Sequence, residues 1–241
     1  MALGLVAAAV ALGVVLQRIT GVGFASVTAP ALVLLWGPVL GVQTVNALAA
    51  LCALILLIEL RRHVDMRRTG TLIGFALATT PVGILLVLVL PTEVLQILLG
   101  AIMLTALFAV RAVARWRFIR GRLGAVTTGA LAGIANATVG QAGPLMGAFA
   151  LASRWELKSY VASMQLCWFI VNTAVVILKG APQIAPSTAV VLCVAVAVGY
   201  LMSTPITRLM TRSTAEWCLF GVALAGSILI LGRGILSITW R

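Results

Sequence analysis

The feature that most constrains this chain is a series of apolar segments long enough to cross a lipid bilayer. A spanning helix needs about 20 apolar residues, and five or six segments meet that length: 41–60, 71–90, 93–111, 159–178, 187–206 and 215–232. Of the 241 residues, 62% are hydrophobic and 9% are charged, whereas a soluble domain is about half apolar and about a quarter charged. The sequence therefore predicts an all-α integral membrane protein.

Basic residues dominate the short loops between these segments, and the net charge is +12. In a soluble protein such a charge would suggest a nucleic-acid partner. Here the arginines cluster in loops such as "RRHVDMRR" at 61–68 and "RAVARWRFIRGR" at 111–122, and positive loops orient membrane proteins. We therefore expect a surrounding lipid bilayer and no nucleic acid. No metal-ligand spacing is present, so we expect neither a metal nor a cofactor.

Two regions depart from the pattern of a simple spanning helix. Residues 2–36 contain the polar, glycine-rich stretch "QRITGVGFASVTAP" at 17–30, and residues 123–152 contain "NATVGQAG" at 136–143. Each stretch separates two apolar runs that are too short to cross the membrane comfortably alone. A proline ends each break, Pro30 or Pro144. Because proline suits the first position of a helix, we predict that a helix restarts at each proline.

The two breaks indicate an internal repeat. Aligning Pro30 with Pro144 brings break against break, and Cys52 then falls against Cys167 after a slip of one residue. We predict two membrane units, 1–112 and 120–241, each with a broken or re-entrant helix pair followed by three transmembrane helices. Three crossings per unit would give the second unit the inverted topology.

Two topologies fit the charges. In the hairpin topology the N-terminus lies outside, and only Lys179, Arg233 and Arg241 among the basic loop residues fall outside. The alternative has eight full spans, with the first and fifth transmembrane helices bent and the N-terminus inside. Both topologies place the two breaks near the middle of the membrane.

Matched breaks of this kind indicate a transporter's binding site. Broken helices persist in membranes only where they are buried in protein or line a cavity, and helix N-termini favour anions. The candidate substrate-binding residues are small or polar residues in or near the breaks, with one glutamine from a later helix: Arg18, Gly23, Ser26, Thr28, Asn136, Thr138, Gln141 and Gln165. Asn172 lies on the same helix face as Gln165.

Each candidate has a structural alternative. Arg18 either holds the anion through its guanidinium or extends to the membrane interface at a helix end. The Ser, Thr, Asn and Gln side chains either face the substrate or form hydrogen bonds between helices. Acidic residues lie only at segment ends and in loops, so we expect no buried carboxylate relay; carbonyl groups at the breaks could still bind a coupling ion.

The two breaks resemble those of the TauE/SafE family of sulfite and organosulfonate exporters. The similar stretches are "GVGFASVTAPALVLLWGPVLGVQTVNALAAL" at 21–51 and "GALAGIANATVGQAGPLMGAFALASRWELKSYVASMQL" at 129–166. Family members often have three adjacent glycines at the first break, whereas here Gly23 is followed by Phe24, Ala25 and Ser26. The resemblance implies a multi-pass protein of the bacterial inner membrane that exports a small sulfur oxyanion or sulfonate.

The sequence therefore predicts a secondary transporter that exports a small anion, sulfite or an organosulfonate. The alternatives are an anion channel, which can use the same helix N-termini and arginines, and a transporter of small carboxylates. An intramembrane enzyme would need a Ser/His, paired Asp or HExxH arrangement, and the sequence has none of these. The oligomeric state is left open.

Overall fold

The computed structural model is all-helical over the part of the chain that it describes, residues 2–113, 121–209 and 211–239. The basic segment 114–120 between the two predicted units and the terminal Arg241 lie outside the described residues. The α-helices are α1 (Ala2–Thr20), α2 (Phe24–Leu60), α3 (Met66–Val89), α4 (Thr92–Val113), α5 (Gly121–Val139), α6 (Gly143–Ala152), α7 (Leu157–Lys179), α8 (Pro186–Leu209) and α9 (Arg212–Thr239). A short 3-10 helix, Arg61–His63, follows α2.

Helix α2 consists of two halves. Gly37 interrupts it with φ 80° and ψ 172°, a backbone conformation that glycine adopts without strain. Pro38 then occupies the first position of the second half, where a proline is favoured because no N–H is needed. The halves are referred to below as α2a (24–36) and α2b (38–60).

The prediction of where the first helix restarts is wrong. Helix α2a begins at Phe24, so Pro30 lies in its interior, whereas Pro144 does stand in the first turn of α6. The ring of Pro30 packs against Gly226 of α9, where an added Cβ would lie 2.5 Å from it. Equivalent positions of the two breaks are therefore Gly21 and Gly140, each directly after a 19-residue helix.

Both halves of the described chain show the same order of helices. A long helix, a break and a short helix are followed by α2b, α3 and α4 in the first half and by α7, α8 and α9 in the second. The contacts are reciprocal: α1 packs against α8 while α5 packs against α3, and the pairs α2–α7 and α4–α9 join the halves. The centre of this arrangement is formed by α2 and α7.

The chain folds back on itself at the first break. A Cβ added to Gly13 of α1 would lie 3.1 Å from the carbonyl oxygen of Phe24 and 3.0 Å from Cγ2 of Thr28. On the other side of the break, a Cβ on Gly23 would lie 2.9 Å from Cβ of Leu16. These contacts are those of a helical hairpin, and α6 likewise packs against α5.

Five of the described helices are long and apolar enough to cross a membrane: α1, α2, α3, α7 and α8. The prediction that the run before the first break is too short to cross a membrane is therefore wrong for α1, because the helix continues through the polar residues up to Thr20. Within their most apolar windows, 56% of the residues of α2 and of α7 are buried, but only 22% of α3 and 28% of α8. The outer faces of α3 and α8 expose large apolar side chains such as Leu88 and Leu201. Such a surface requires lipid, and the protein is a multi-pass membrane protein.

Glycines allow the two halves to approach closely. A Cβ on Gly133 of α5 would lie 2.1 Å from the carbonyl oxygen of Ala76 in α3. In the reciprocal contact, a Cβ on Gly199 of α8 would lie 2.6 Å from the carbonyl oxygen of Ala11 in α1. Small residues at such positions are typical of tight helix packing in membranes, and here they hold α1 and α5, the helices that carry the breaks, in place.

Candidate functional site

The two breaks meet at a small cavity between the halves. Its walls come from α1, α2, α5, α6 and α7 and the break residues between them: Gln17, Val22, Phe24, Ala25, Ala49, Asn136, Gly140, Ala142, Gly143, Trp168 and Asn172. The cavity volume is about 20 Å³, enough for about one water molecule. A three-oxygen anion would therefore need the walls to move apart.

The backbone ends α1 and α5 in the same way. Gly21 has φ 81° and Gly140 has φ 70°, and this left-handed conformation after a helix is a common glycine cap. The N–H of Gly21 donates to the carbonyl oxygen of Gln17 at 2.8 Å, and that of Gly140 donates to Asn136 at 3.0 Å. Gln17 and Asn136 thus hold equivalent places, and both line the cavity.

The amide of Gln17 links the first break to α7. Its Nε2 donates to Oε1 of Gln165 at 3.1 Å, and its Oε1 accepts from the backbone N–H of Phe24 at 3.1 Å. The second bond satisfies one of the free N–H groups at the start of α2a, in the manner of a cap. Gln17 is 3% exposed, so both bonds are shielded from solvent.

The amide of Asn136 makes the equivalent link from the second break. Its Nδ2 donates to Oδ1 of Asn172 at 3.0 Å, and Asn172 in turn donates to the carbonyl oxygen of Trp168 at 2.8 Å. The N-cap residue of α6 is Ala142, which has no side chain to cap the helix. The start of α6 therefore faces the cavity without a side-chain cap from its N-cap residue.

Trp168 closes the wall between the two amide pairs. Its Nε1 donates to the carbonyl oxygen of Gly21 at 3.0 Å, which fixes the indole against the first break. No lysine, arginine, aspartate or glutamate lines the cavity among the residues that the structure describes. The arrangement can offer an anion amide N–H groups, backbone N–H groups and two helix N-termini, but no formal positive charge.

Arg18 lies outside this cavity, in a polar cluster with α2b and α8. Its guanidinium pairs with the carboxylate of Glu59 and donates to Ser203 Oγ at 2.8 Å and Thr204 Oγ1 at 2.9 Å. The Tyr200 ring lies 5.5 Å from it. The structure therefore pairs Arg18 with a protein carboxylate rather than leaving it free for an anion.

Two of the predicted residues bond to each other across the breaks. Gln141 follows Gly140, and its Nε2 donates to Ser26 Oγ of α2a at 2.8 Å. Both side chains are buried, and Oε1 of Gln141 has no hydrogen-bond partner. The hydrogen bond between Gln141 and Ser26 links the two breaks next to the cavity, although neither residue lines the cavity.

The remaining predicted residues make contacts within their own helix or turn. The hydroxyl of Thr28 donates to the carbonyl oxygen of Phe24 at 2.9 Å, and that of Thr138 donates to Ile134. Gly23 leaves room for Leu16 at the turn. None of these three residues is in the cavity wall.

Gln165 and Asn172 do reach the break residues from one face of α7, as their spacing predicts. Sequence reasoning missed Gln17 and Trp168 as members of the site. Gln17 stands in the same position before Gly21 as Asn136 does before Gly140, but this equivalence becomes visible only when the ends of α1 and α5 are known. Trp168 gives no such signal, because an aromatic residue in an apolar helix is ordinary.

A third missed residue, Asn46, is fully buried, and neither its Nδ2 nor its Oδ1 has a hydrogen-bond partner. It holds the same place in α2b, counted from the helix end, as Gln165 holds in α7. Ala49, one helical turn further along the same face, lines the cavity. An unpaired buried amide is rare, and this one lies close to the cavity wall.

A second polar contact stands at the end of α7. Nζ of Lys179 donates to the carbonyl oxygen of Ala137, next to Asn136. The side chain of Gln43 in α2b donates to the carbonyl oxygens of Gly180 at 2.6 Å and Lys179 at 3.2 Å. Lys179, at the end of α7, thus contacts α5, the helix before the second break. Glu59, near the end of α2b, likewise contacts α1, the helix before the first break.

Comparison with protein families matches residues 5–230 to the family described as Sulfite exporter TauE/SafE. Searches of curated proteins and of solved structures find no match. The match covers both breaks, the cavity wall and nearly the whole chain. The chain therefore belongs to the TauE/SafE family of sulfite exporters.

Proposed function

We propose that this protein is a secondary transporter that exports sulfite or an organosulfonate, and that the anion binds in the cavity between the two breaks. The observation that carries the proposal is that both breaks, from distant parts of the chain, contribute to one cavity. Broken helices at matching positions of two halves are the usual location of a transporter's substrate site. Family membership supports an exporter of sulfur oxyanions.

The donors suit an oxyanion. Ala142 and Gly143 at the start of α6 line the cavity, so this helix presents the positive end of its dipole there. The amides of Gln17, Asn136 and Asn172 can each turn an N–H group toward a bound oxygen. Trp168 and Phe24 supply apolar wall, which favours a small anion whose charge is spread over several oxygens.

The topology that goes with this function has two inverted repeats, 1–112 and 120–241, in the bacterial inner membrane. The equal helix order and the reciprocal contacts of the halves support it. Each repeat would contribute a re-entrant hairpin, α1–α2a or α5–α6, and three crossings. Inverted repeats give a transporter two related conformations, open to opposite sides of the membrane.

In the described conformation the cavity is too small for a sulfite ion, since about 20 Å³ holds about one water molecule. Two polar contacts lie one residue beyond the cavity amides: Arg18 with Glu59 next to Gln17, and Lys179 with Ala137 next to Asn136. Opening would separate one of these contacts while the other stays formed. This order gives alternating access without a continuous pore.

Flux through proteoliposomes tests the proposal. Purified protein in liposomes preloaded with sulfite should release it at a rate that saturates with concentration, with methanesulfonate competing and acetate not competing. The variant Asn172→Leu, which removes a cavity amide, should lower the rate at least about tenfold, as expected for an anion site that loses a hydrogen bond to a charged group. The matched control is Gln43→Leu, which removes an amide outside the cavity wall, and both variants must still insert and elute as monodisperse proteins.

Two alternatives give different results in the same assay. An anion channel would pass sulfite without saturation and would show single-channel conductance in a planar bilayer. A carboxylate transporter would release acetate or a related acid at a saturating rate and leave sulfite behind. Either result would overturn the proposed substrate or mode of transport.

A further inference from the structure

We infer that the cavity selects anions with a single negative charge, so that the transported species is hydrogen sulfite or a monosulfonate and not the sulfite or sulfate dianion. The inference rests on the proposed function and specifies its substrate by charge. It comes from the absence of formal charge in the cavity wall within the described chain.

Helix dipoles provide the positive potential in place of cationic side chains. Each N-terminus is equivalent to about half an elementary positive charge, and the starts of α2a and α6 both meet the cavity. Together they amount to about one charge. Oxygens that accept from neutral amides of Gln17, Asn136 and Asn172 gain hydrogen bonds but no further compensation of charge.

A dianion is disfavoured in such a place for a simple electrostatic reason. The free energy of transferring an ion from water to a medium of low dielectric constant rises with the square of its charge, so a dianion pays about four times the penalty of a monoanion of equal size. The attraction to fixed dipoles rises only in proportion to the charge. With about one unit of positive charge available, the monoanion is compensated and the dianion is not.

The charged groups nearest the cavity lie outside its wall. On α1, Arg18 is paired with Glu59 of α2b, beside Tyr200 of α8. On α7, Lys179 is bonded to Ala137 of α5.

Two further titratable side chains lie on α7. Tyr160 packs against Gly21, and the Cys167 thiol is buried next to Trp168 in the sequence. Protonation of any of these groups would alter the binding of every anion, in proportion to the charge of that anion. A ligand of constant charge therefore separates protein titration from ligand titration.

Isothermal titration calorimetry with three anions tests the inference. Methanesulfonate is a monoanion and sulfate is a dianion over the whole neutral range, and the two share three sulfonyl oxygens. Sulfite changes from monoanion to dianion near neutral pH. Each is titrated into the full-length protein in detergent, without oxygen so that sulfite is not oxidised, from about pH 6 to about pH 9.

We expect methanesulfonate to bind at every pH and sulfate to bind at least about a hundredfold more weakly, because one of the two charges of sulfate is not compensated in the cavity. The apparent Kd of sulfite, divided by that of methanesulfonate at the same pH, should rise about tenfold per pH unit once the dianion predominates. Sulfate that binds as tightly as methanesulfonate, or sulfite that binds more tightly at high pH, would overturn the inference while leaving the anion site in place. Failure of all three anions to bind would overturn the proposed function and the inference together.

Discussion

Gln17 and Gln165 are 148 positions apart in the chain, and their side chains share a buried hydrogen bond of 3.1 Å beside the cavity. Gln17 belongs to the first break and Gln165 to a central helix of the other half. Their contact holds a wall of the proposed anion site in place. Because the same Gln17 amide also caps α2a through Phe24, its removal affects both the hairpin and the site.

Substitution of Gln17 by alanine should therefore weaken anion binding and lower stability. We expect the Kd of sulfite to rise at least about tenfold and the free energy of unfolding to fall by about 1–3 kcal/mol, since two buried hydrogen bonds are lost. Calorimetry and thermal unfolding in detergent measure the two effects. The matched control is Gln43→Ala, which also removes two hydrogen bonds, to Gly180 and Lys179, but lies outside the cavity wall. Equal sulfite affinity of the two variants would contradict the assignment of Gln17.

Arg18→Ala should affect stability more than anion binding. The guanidinium pairs with Glu59, whose side chain is 36% exposed, and partly exposed ion pairs contribute about 1 kcal/mol or less. For a protein of this size, a loss of about 1 kcal/mol lowers the melting temperature by about 2–4 °C. The Kd of sulfite should stay within about threefold of the wild-type value.

Glu59→Gln is the partner control for Arg18→Ala. The loss of stability in the double variant should not exceed the sum of the losses in the two single variants. Complete loss of sulfite binding in Arg18→Ala, with unchanged sulfite binding in Glu59→Gln, would show that Arg18 belongs to the anion site.

Close packing of α5 on α3 predicts a large effect of Gly133→Ala. The new Cβ would lie 2.1 Å from the Ala76 carbonyl oxygen, so the helices must separate, and such overpacking costs about 1–3 kcal/mol. Gly74→Ala on α3 is the control, because its Cβ would meet nothing within 4 Å and alanine favours the helix by about 1 kcal/mol. Melting temperatures should fall for the first variant and hold or rise for the second. A Gly133→Ala protein as stable as wild type would show that α3 and α5 are not packed this closely.

Asn46→Leu should stabilise the protein and impair transport. Removing a buried amide that has no hydrogen-bond partner relieves about 1–3 kcal/mol of desolvation, and leucine is of similar size. Residues that lower stability are characteristic of functional sites. Asn46 occupies the position in α2b that Gln165 occupies in α7. Asn172→Leu is the control for stability, because it leaves the Asn136 amide without its partner and should unfold at a lower temperature. A fall in the melting temperature of Asn46→Leu would mean that its amide is already satisfied.

Much of the fold is readable from the sequence because lipid imposes a length on each apolar segment. The turn between α3 and α4, the end of α2 at the basic loop and the two breaks all follow from runs of apolar residues. The restart of α2a at Phe24 was not predictable from Pro30, because a proline is tolerated within a membrane helix when a neighbour packs against it, as Gly226 does here.

The membership of the cavity wall was harder to predict. Polar residues near a break are visible in the sequence, but their partners depend on how the halves pack. Thr28 and Thr138 bond to their own helices, and Arg18 meets Glu59, which lies 41 positions away. Only the equivalence of Gly21 and Gly140, which requires the helix ends, identifies Gln17 and Asn136 as a pair.

The most direct test of the proposed anion site is the sulfite affinity of Asn136→Asp, measured by calorimetry beside the wild-type protein. The change keeps the shape of the side chain and places a carboxylate in the cavity wall. Two like charges about 4 Å apart repel by about 4 kcal/mol at an effective dielectric constant of about 20, so we predict a Kd at least about a hundredfold higher. Gln43→Glu adds the same charge outside the wall and should leave the Kd within about threefold. An unchanged Kd in a folded Asn136→Asp protein would contradict the placement of the anion between the two breaks.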